Sequence, residues 1–114
     1  MQYLVTSEWI DPMGNGILNP PQDFVPVLEQ MVIPGVQALA KLTADRKILA
    51  GGVQSGERAA VFIVEAESND EVTELLHSLP LWISNKWKVT PLESFDHHAQ
   101  FVAQIVEQLK SATQ

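Results

Sequence analysis

The residues most able to do chemistry are a few carboxylates and aromatics set among β-forming runs. Glu65 ends the run Ala59-Ala60-Val61-Phe62-Ile63-Val64-Glu65, and an extended chain puts it on the same face as Ala59, Val61 and Ile63. A carboxylate beside an apolar cavity is suited to moving a proton next to a carbonyl, with Tyr3 or Arg58 orienting the substrate. Arg58, at the start of the same run, is also the cation that could anchor a ligand carboxylate. Glu93, just after Pro91-Leu92, repeats the arrangement of Glu65 nearer a chain end, and Trp82 and Trp87 supply aromatic surface for a pocket. Each residue also has a plainer reading: Glu65 and Glu93 reach water where a strand frays, Arg58 is a solvated hairpin charge, and the tryptophans fill a core or an interface between copies. Glu8 and Ser7 alternate, so one of the two at most points into a pocket.

The three histidines offer less. His77 falls away from the apolar stripe of its helix and faces solvent. His97 and His98 are neighbours, and adjacent side chains on a helix diverge by about 100°, so they clamp a metal poorly. With no cysteine in the 114 residues, thiol nucleophiles, disulfides and thiolate-held metals are excluded. The expectation is a site with no metal and no cofactor.

Several elements must position these groups. Residues 2–10 read as a first strand, ended by Asp11-Pro12, and a loop containing Asn15-Gly16 and Pro20-Pro21 follows. A helix is expected from about Pro21, with Asn19 as its cap and Phe24, Leu28, Met31, Gly35, Leu39 and Leu42 as its buried seam. Pro34 should kink it, because proline lacks the amide hydrogen an inner helical turn needs. Residues 48–54 and 58–66 form a hairpin around Ser55-Gly56-Glu57. Ser68 and Glu71 make a capping box for a second helix faced by Val72, Leu75, Leu76 and Leu79 and stopped by Pro80. A last strand at 85–92 alternates Trp87 and Val89 with Lys86, Lys88 and Thr90, as edge strands do. A third helix opens at Asp96 and carries Phe101, Val102, Ile105 and Leu109.

This order, βαββαβ plus a C-terminal helix, predicts an α+β protein of ferredoxin-like topology, a single domain over 1–114. The strand at 58–66 is apolar on both faces, yet two helices cover only one side of a four-stranded sheet. Either the C-terminal helix folds back over the other side or a second copy packs against it, which predicts a homodimer. The net charge of −7 disfavours nucleic acid as a partner. The first residues lack the features of a signal peptide and no apolar run spans a bilayer, so a cytoplasmic protein with no membrane contact is expected.

The stretches AGGVQSG (50–56), AVFIVEAESNDEVTELL (60–76), LPLW (79–82) and WKVTPLESF (87–95) resemble the dimeric α+β barrel proteins. The LPL-aromatic phrase is similar to the muconolactone isomerases, and the Gly-Gly strand with the IVEAES ending is similar to the YCII-like group. The YCII-like histidine–aspartate pair has no counterpart in this chain, so that mechanism is not carried over. The resemblance implies a barrel between two sheets and a small cofactor-independent isomerase or lyase acting by proton transfer on a cyclic or carbonyl compound. On the residues read above, Glu65 and Tyr3 would be catalytic, with Arg58, Trp87, Trp82 and Glu93 binding substrate. The alternative is a non-catalytic homodimer of the same fold that binds a small ligand or regulates a partner.

Overall fold

The computed structural model describes residues 1–10 and 22–113; the expected loop with Asn15-Gly16 and Pro20-Pro21, and the cap at Asn19, lie outside the described residues. Four strands, β1 (Gln2–Trp9), β2 (Ile48–Gln54), β3 (Ala59–Glu65) and β4 (Asn85–Leu92), form one antiparallel sheet in the order β2-β3-β1-β4. This is the ferredoxin-like arrangement, with β4 at an edge and the apolar β3 inside. One face carries the core: Tyr3 and Val5 of β1, Phe62 and Val64 of β3 and Ile48 of β2 meet Val72 and Leu76 of the helix α3 (Asn69–His77) and Leu79 beyond it.

The first helical segment departs from a simple rod. It starts at Phe24 as α1 (Phe24–Val27), passes through a π-helical turn at Leu28–Val32 and continues as α2 (Ile33–Ala44), with right-handed helical backbone at each junction. Pro34 supplies the reason, since it has no amide hydrogen for a carbonyl one turn back. The amide of Ile33 instead reaches five residues back to the carbonyl of Leu28. The kink expected at Pro34 is therefore taken up as one wide turn before it. Of the expected seam, Gly35 is buried and Leu39 and Leu42 pack against the core, while Leu28, at the start of the wide turn, is 48% exposed. Gly35 meets the connection after α3 rather than the sheet. A β-carbon there would lie 2.3 Å from Leu81 Cγ, so the absence of a side chain is what lets Leu81 bury itself.

The capping of α3 is as expected at Ser68, whose hydroxyl accepts from the Glu71 amide at 3.2 Å. The return half differs, because the Glu71 carboxylate accepts from the amide of Glu67, at 2.8 Å. The final helix, α4 (Phe95–Ala112), is capped by Ser94 and not by Asp96: the Ser94 hydroxyl accepts from the His97 amide at 3.1 Å. It does not fold back. No side chain of α4 is buried, Phe101 and Leu109 are 52% and 62% exposed, and the molecule measures 73 × 32 × 26 Å. Among the described residues no helix lies over the second sheet face, which has Leu4, Val61 and Ile63 at its centre.

Candidate functional site

A half-open cavity of about 520 Å³ lies between the α1–α2 segment and the Trp9 end of the sheet. The helical wall is Phe24, Val27, Leu28, Val32, Val36 and Leu39, residues brought to one side by the π turn. Leu81 closes one end, Val53 of β2 stands at another, and the β2–β3 turn brings Glu57 and Arg58 to the rim. Ser7, Trp9 and Asn85 come from the two paired strands β1 and β4. The wall is thus apolar with a few polar groups at its margins, the usual make-up of a small-molecule site.

One polar pair stands out. The Asn85 side chain donates from Nδ2 to Ser7 Oγ at 2.6 Å, while Asn85 Oδ1 is buried and has no hydrogen-bond partner among the described residues. The nearby Ser84 hydroxyl, also buried, donates to the Leu81 carbonyl at 3.1 Å and is satisfied.

A smaller cleft, about 310 Å³, sits on the sheet face that bears no helix, among Thr6, Glu8, Lys86, Lys88 and Gln54. Opposite charges face each other across it, with Glu8 paired in register with Lys86.

The residues expected to form the site are not gathered together. In the sheet register Gln2 pairs with Glu65 and Tyr3 with Val64, so Glu65 and Tyr3 lie on opposite faces. Tyr3 is 1% exposed within the core, its hydroxyl 3.8 Å from Met1 Sδ. The Glu65 side chain is 51% exposed and pairs with the N-terminal amine at 3.2 Å. Neither residue lines either cavity, and the apolar surround expected for Glu65 is not present in the single chain. Arg58 does reach the rim of the larger cavity.

Trp87 borders the smaller cleft and stacks on Trp82, ring centres 5.9 Å apart; its indole N–H donates to the Trp82 carbonyl at 3.1 Å. Trp82 in turn carries His77, with ring centres 3.7 Å apart. His77 is exposed, as its helical position implies, yet packed on one side. Glu93 lies at the foot of α4, where its carboxylate meets His97 Nδ1 at 2.7 Å and His98 Nδ1 at 3.5 Å. The hydrogen bond from His97 is the main cause holding the Glu93 carboxyl below its ordinary value of 4.5. Its support of the first turn of α4 is complete above that value and is lost as the pH falls through the lowered one. This arrangement makes Glu93 a helix-start contact rather than part of the cavity.

Sequence reasoning missed Asn85 and Glu57 as cavity residues. A signal existed for the polar pair: Ser7 interrupts the row Tyr3, Val5, Ser7, Trp9 on the covered face. Its partner is 78 residues away and could not be identified from the sequence alone. Among the described residues, no three of His, Asp or Glu gather as a metal site, and no helix is long and apolar enough to cross a membrane.

The fold and cavity define a small ferredoxin-like α+β protein with a ligand-sized pocket under its first helix. The chain belongs to the muconolactone delta-isomerase family, whose pattern matches residues 27–99. Among solved structures it is similar to the 5-chloro-2-hydroxyhydroquinone dehydrochlorinase of Burkholderia phenoliruptrix AC1100, determined with 2,5-dihydroxybenzoquinone. The two share 21% identity with a TM-score of 0.57, over 85% of this chain and 98% of that one, a likeness of fold. Among curated proteins no relative matches the chain. The family match includes most of the cavity's helical wall, the β2–β3 turn and Asn85, and leaves out Ser7 and Trp9.

Proposed function

We propose that the protein is a small isomerase or lyase that moves a proton on a cyclic carbonyl compound held in the larger cavity. The carrying observation is that cavity, about 520 Å³, apolar on its helical wall and bordered among the described residues by one carboxylate and one guanidinium, Glu57 and Arg58. Shifting a double bond in a lactone and expelling hydrogen chloride from a hydroxylated ring share a step: a base takes a C–H proton and the electron pair moves into the carbonyl system. The proton then returns at another carbon, or a leaving group departs. In this reading Glu57 takes the proton and Arg58 holds the anionic oxygen or a ligand carboxylate, roles supported by their place on the rim. Glu65 is a weaker base for this reaction because it lies on the other sheet face.

Deuterium uptake from heavy water into muconolactone tests the step without requiring the natural substrate. Wild-type protein is expected to catalyse the exchange. Glu57→Gln should slow it by about 10²–10⁴-fold, the usual worth of a positioned base, and Arg58→Ala should raise KM. Exchange unaffected by Glu57→Gln would remove Glu57 from the mechanism. A second reading, a ligand-binding protein without turnover, is favoured by one observation: among the described lining residues the larger cavity's only carboxylate stands on an exposed turn. Binding of muconolactone with no exchange would select it.

We also propose that two copies pair through the uncovered sheet face. Leu4, Val61 and Ile63 there, and the exposed stripe of Phe101, Val102, Ile105 and Leu109 on α4, are apolar surfaces that no helix among the described residues covers. Helices in proteins draw most of their stability from packing an amphipathic face, so a covering partner would also stabilise α4. Light scattering at micromolar concentration should give twice the chain mass of 12.6 kDa; a monomer would refute the pairing.

A further inference from the structure

We infer that the Ser7–Asn85 pair is a specificity device that recognises a hydroxyl group on the ring of the bound molecule, an inference resting on the cavity reading above. Three observations converge on it. Ser7 and Asn85 both line the cavity, one from β1 and one from β4. Their side chains are joined at 2.6 Å, and the bond leaves the buried Asn85 Oδ1 without a partner among the described residues. Ser7 also breaks a local pattern, since it follows the buried Tyr3 and Val5 on the covered face of β1.

A buried polar atom without a partner costs free energy that a packed apolar pair would not. Ser84, close by, shows how this chain settles a buried hydroxyl when nothing else is required of it, by a bond to a carbonyl of its own turn. The Ser7–Asn85 pair is settled on one side only. Such an unspent acceptor, closed off in the unliganded chain, has a use when a ligand brings the missing donor and the amide turns to meet it, and losing that donor then leaves the site's own group unpaired.

The chemistry of the pair selects a hydroxyl. A carboxylate would need a cation beside it, and the cavity's cation, Arg58, is on the rim. A carbonyl only accepts, so it leaves Oδ1 unpaired. A hydroxyl both donates and accepts, and suits the pair whichever way the amide is turned. The substrate class is therefore a ring with a hydroxyl turned inward towards Ser7 and Asn85 and its anionic group turned outward to Arg58.

Three probes of similar shape test this by isothermal titration and by the indole N–H shift of Trp9: 4-hydroxyphenylacetate, 4-methoxyphenylacetate and phenylacetate. Wild-type protein should bind the hydroxylated probe at least about 10-fold more tightly than the other two. In Ser7→Ala/Asn85→Leu that preference should vanish while the melting temperature stays equal or rises, because an apolar pair replaces a half-satisfied polar one. Asn85→Leu alone removes the unpaired acceptor itself and should abolish the preference as well, whatever its effect on the melting temperature. Arg58→Ala should weaken all three probes alike. No preference in the wild type, or a preference that survives in both variants, would overturn the inference and leave the cavity reading standing. Failure of all three probes to bind would overturn both.

Discussion

Phe62→Ala is expected to lower the unfolding free energy by about 3–5 kcal/mol, the range for emptying an aromatic site in a core. Phe62 is 3% exposed on the covered face of β3, the strand flanked by β2 and β1. Its register neighbours are Val5 on one side and Gly51 on the other. Gly51 has no side chain to lean into the vacated volume, and β3 is held on both edges by antiparallel ladders. Relaxation around the truncated residue is therefore limited, which puts the cost in the upper part of what such truncations show. Urea unfolding followed by circular dichroism measures it. A loss below about 1 kcal/mol would mean that the ring is not a core group.

Gly51→Ala should be nearly as damaging, for a different reason. Gly51 has φ +150°, a backbone conformation that side chains disfavour, and a β-carbon built on it would come within 2.4 Å of the Val61 carbonyl oxygen and 2.6 Å of Phe62 Cα. Those are backbone atoms of the neighbouring strand, so relief requires β2 to move away from β3. Strain of about 1–3 kcal/mol at the residue and overpacking of about 1–3 kcal/mol against β3 act together. The neighbouring Gly52 is an internal control: nothing lies within 4 Å of its notional β-carbon. Gly52→Ala should leave the melting temperature nearly unchanged, and equal losses at the two positions would contradict the close approach at Gly51.

The limits of the sequence show best at particular residues. The position of β3 between two strands is legible because Ala59 to Val64 is apolar without interruption, and only a strand with neighbours on both sides and at least one buried face makes use of such a run. The start of α3 is legible because a serine followed three residues later by glutamate satisfies amides locally. At Pro34 the sequence specifies half of the outcome. Proline announces a disturbed helix, but whether the chain bends or widens into a π turn depends on what lies against the helix, here the cavity and Leu81.

The site was the harder part, and the pairing of Glu65 with Tyr3 shows why. Placing both in one pocket needed them on one face, and a single-residue difference in register puts them on opposite faces. Asn85 carried no signal of its own, since an asparagine at the start of a strand is ordinary turn chemistry. It becomes notable only when β4 lies beside β1 and sets its amide against Ser7.

The sequence by itself determined the order of strands and helices and the apolar character of both faces of β3. Those follow from periodicity, capping and composition, which act over a few neighbouring residues. Only the tertiary structure decided that α4 leaves the sheet, that the cavity opens at the Trp9 end, and that Ser7 meets Asn85 from 78 residues away while Glu65 turns to the N-terminus. The reason is physical: strand register and helix face are set by the packing of the whole core at once, and a shift of one residue in either exchanges the buried and the exposed side chains.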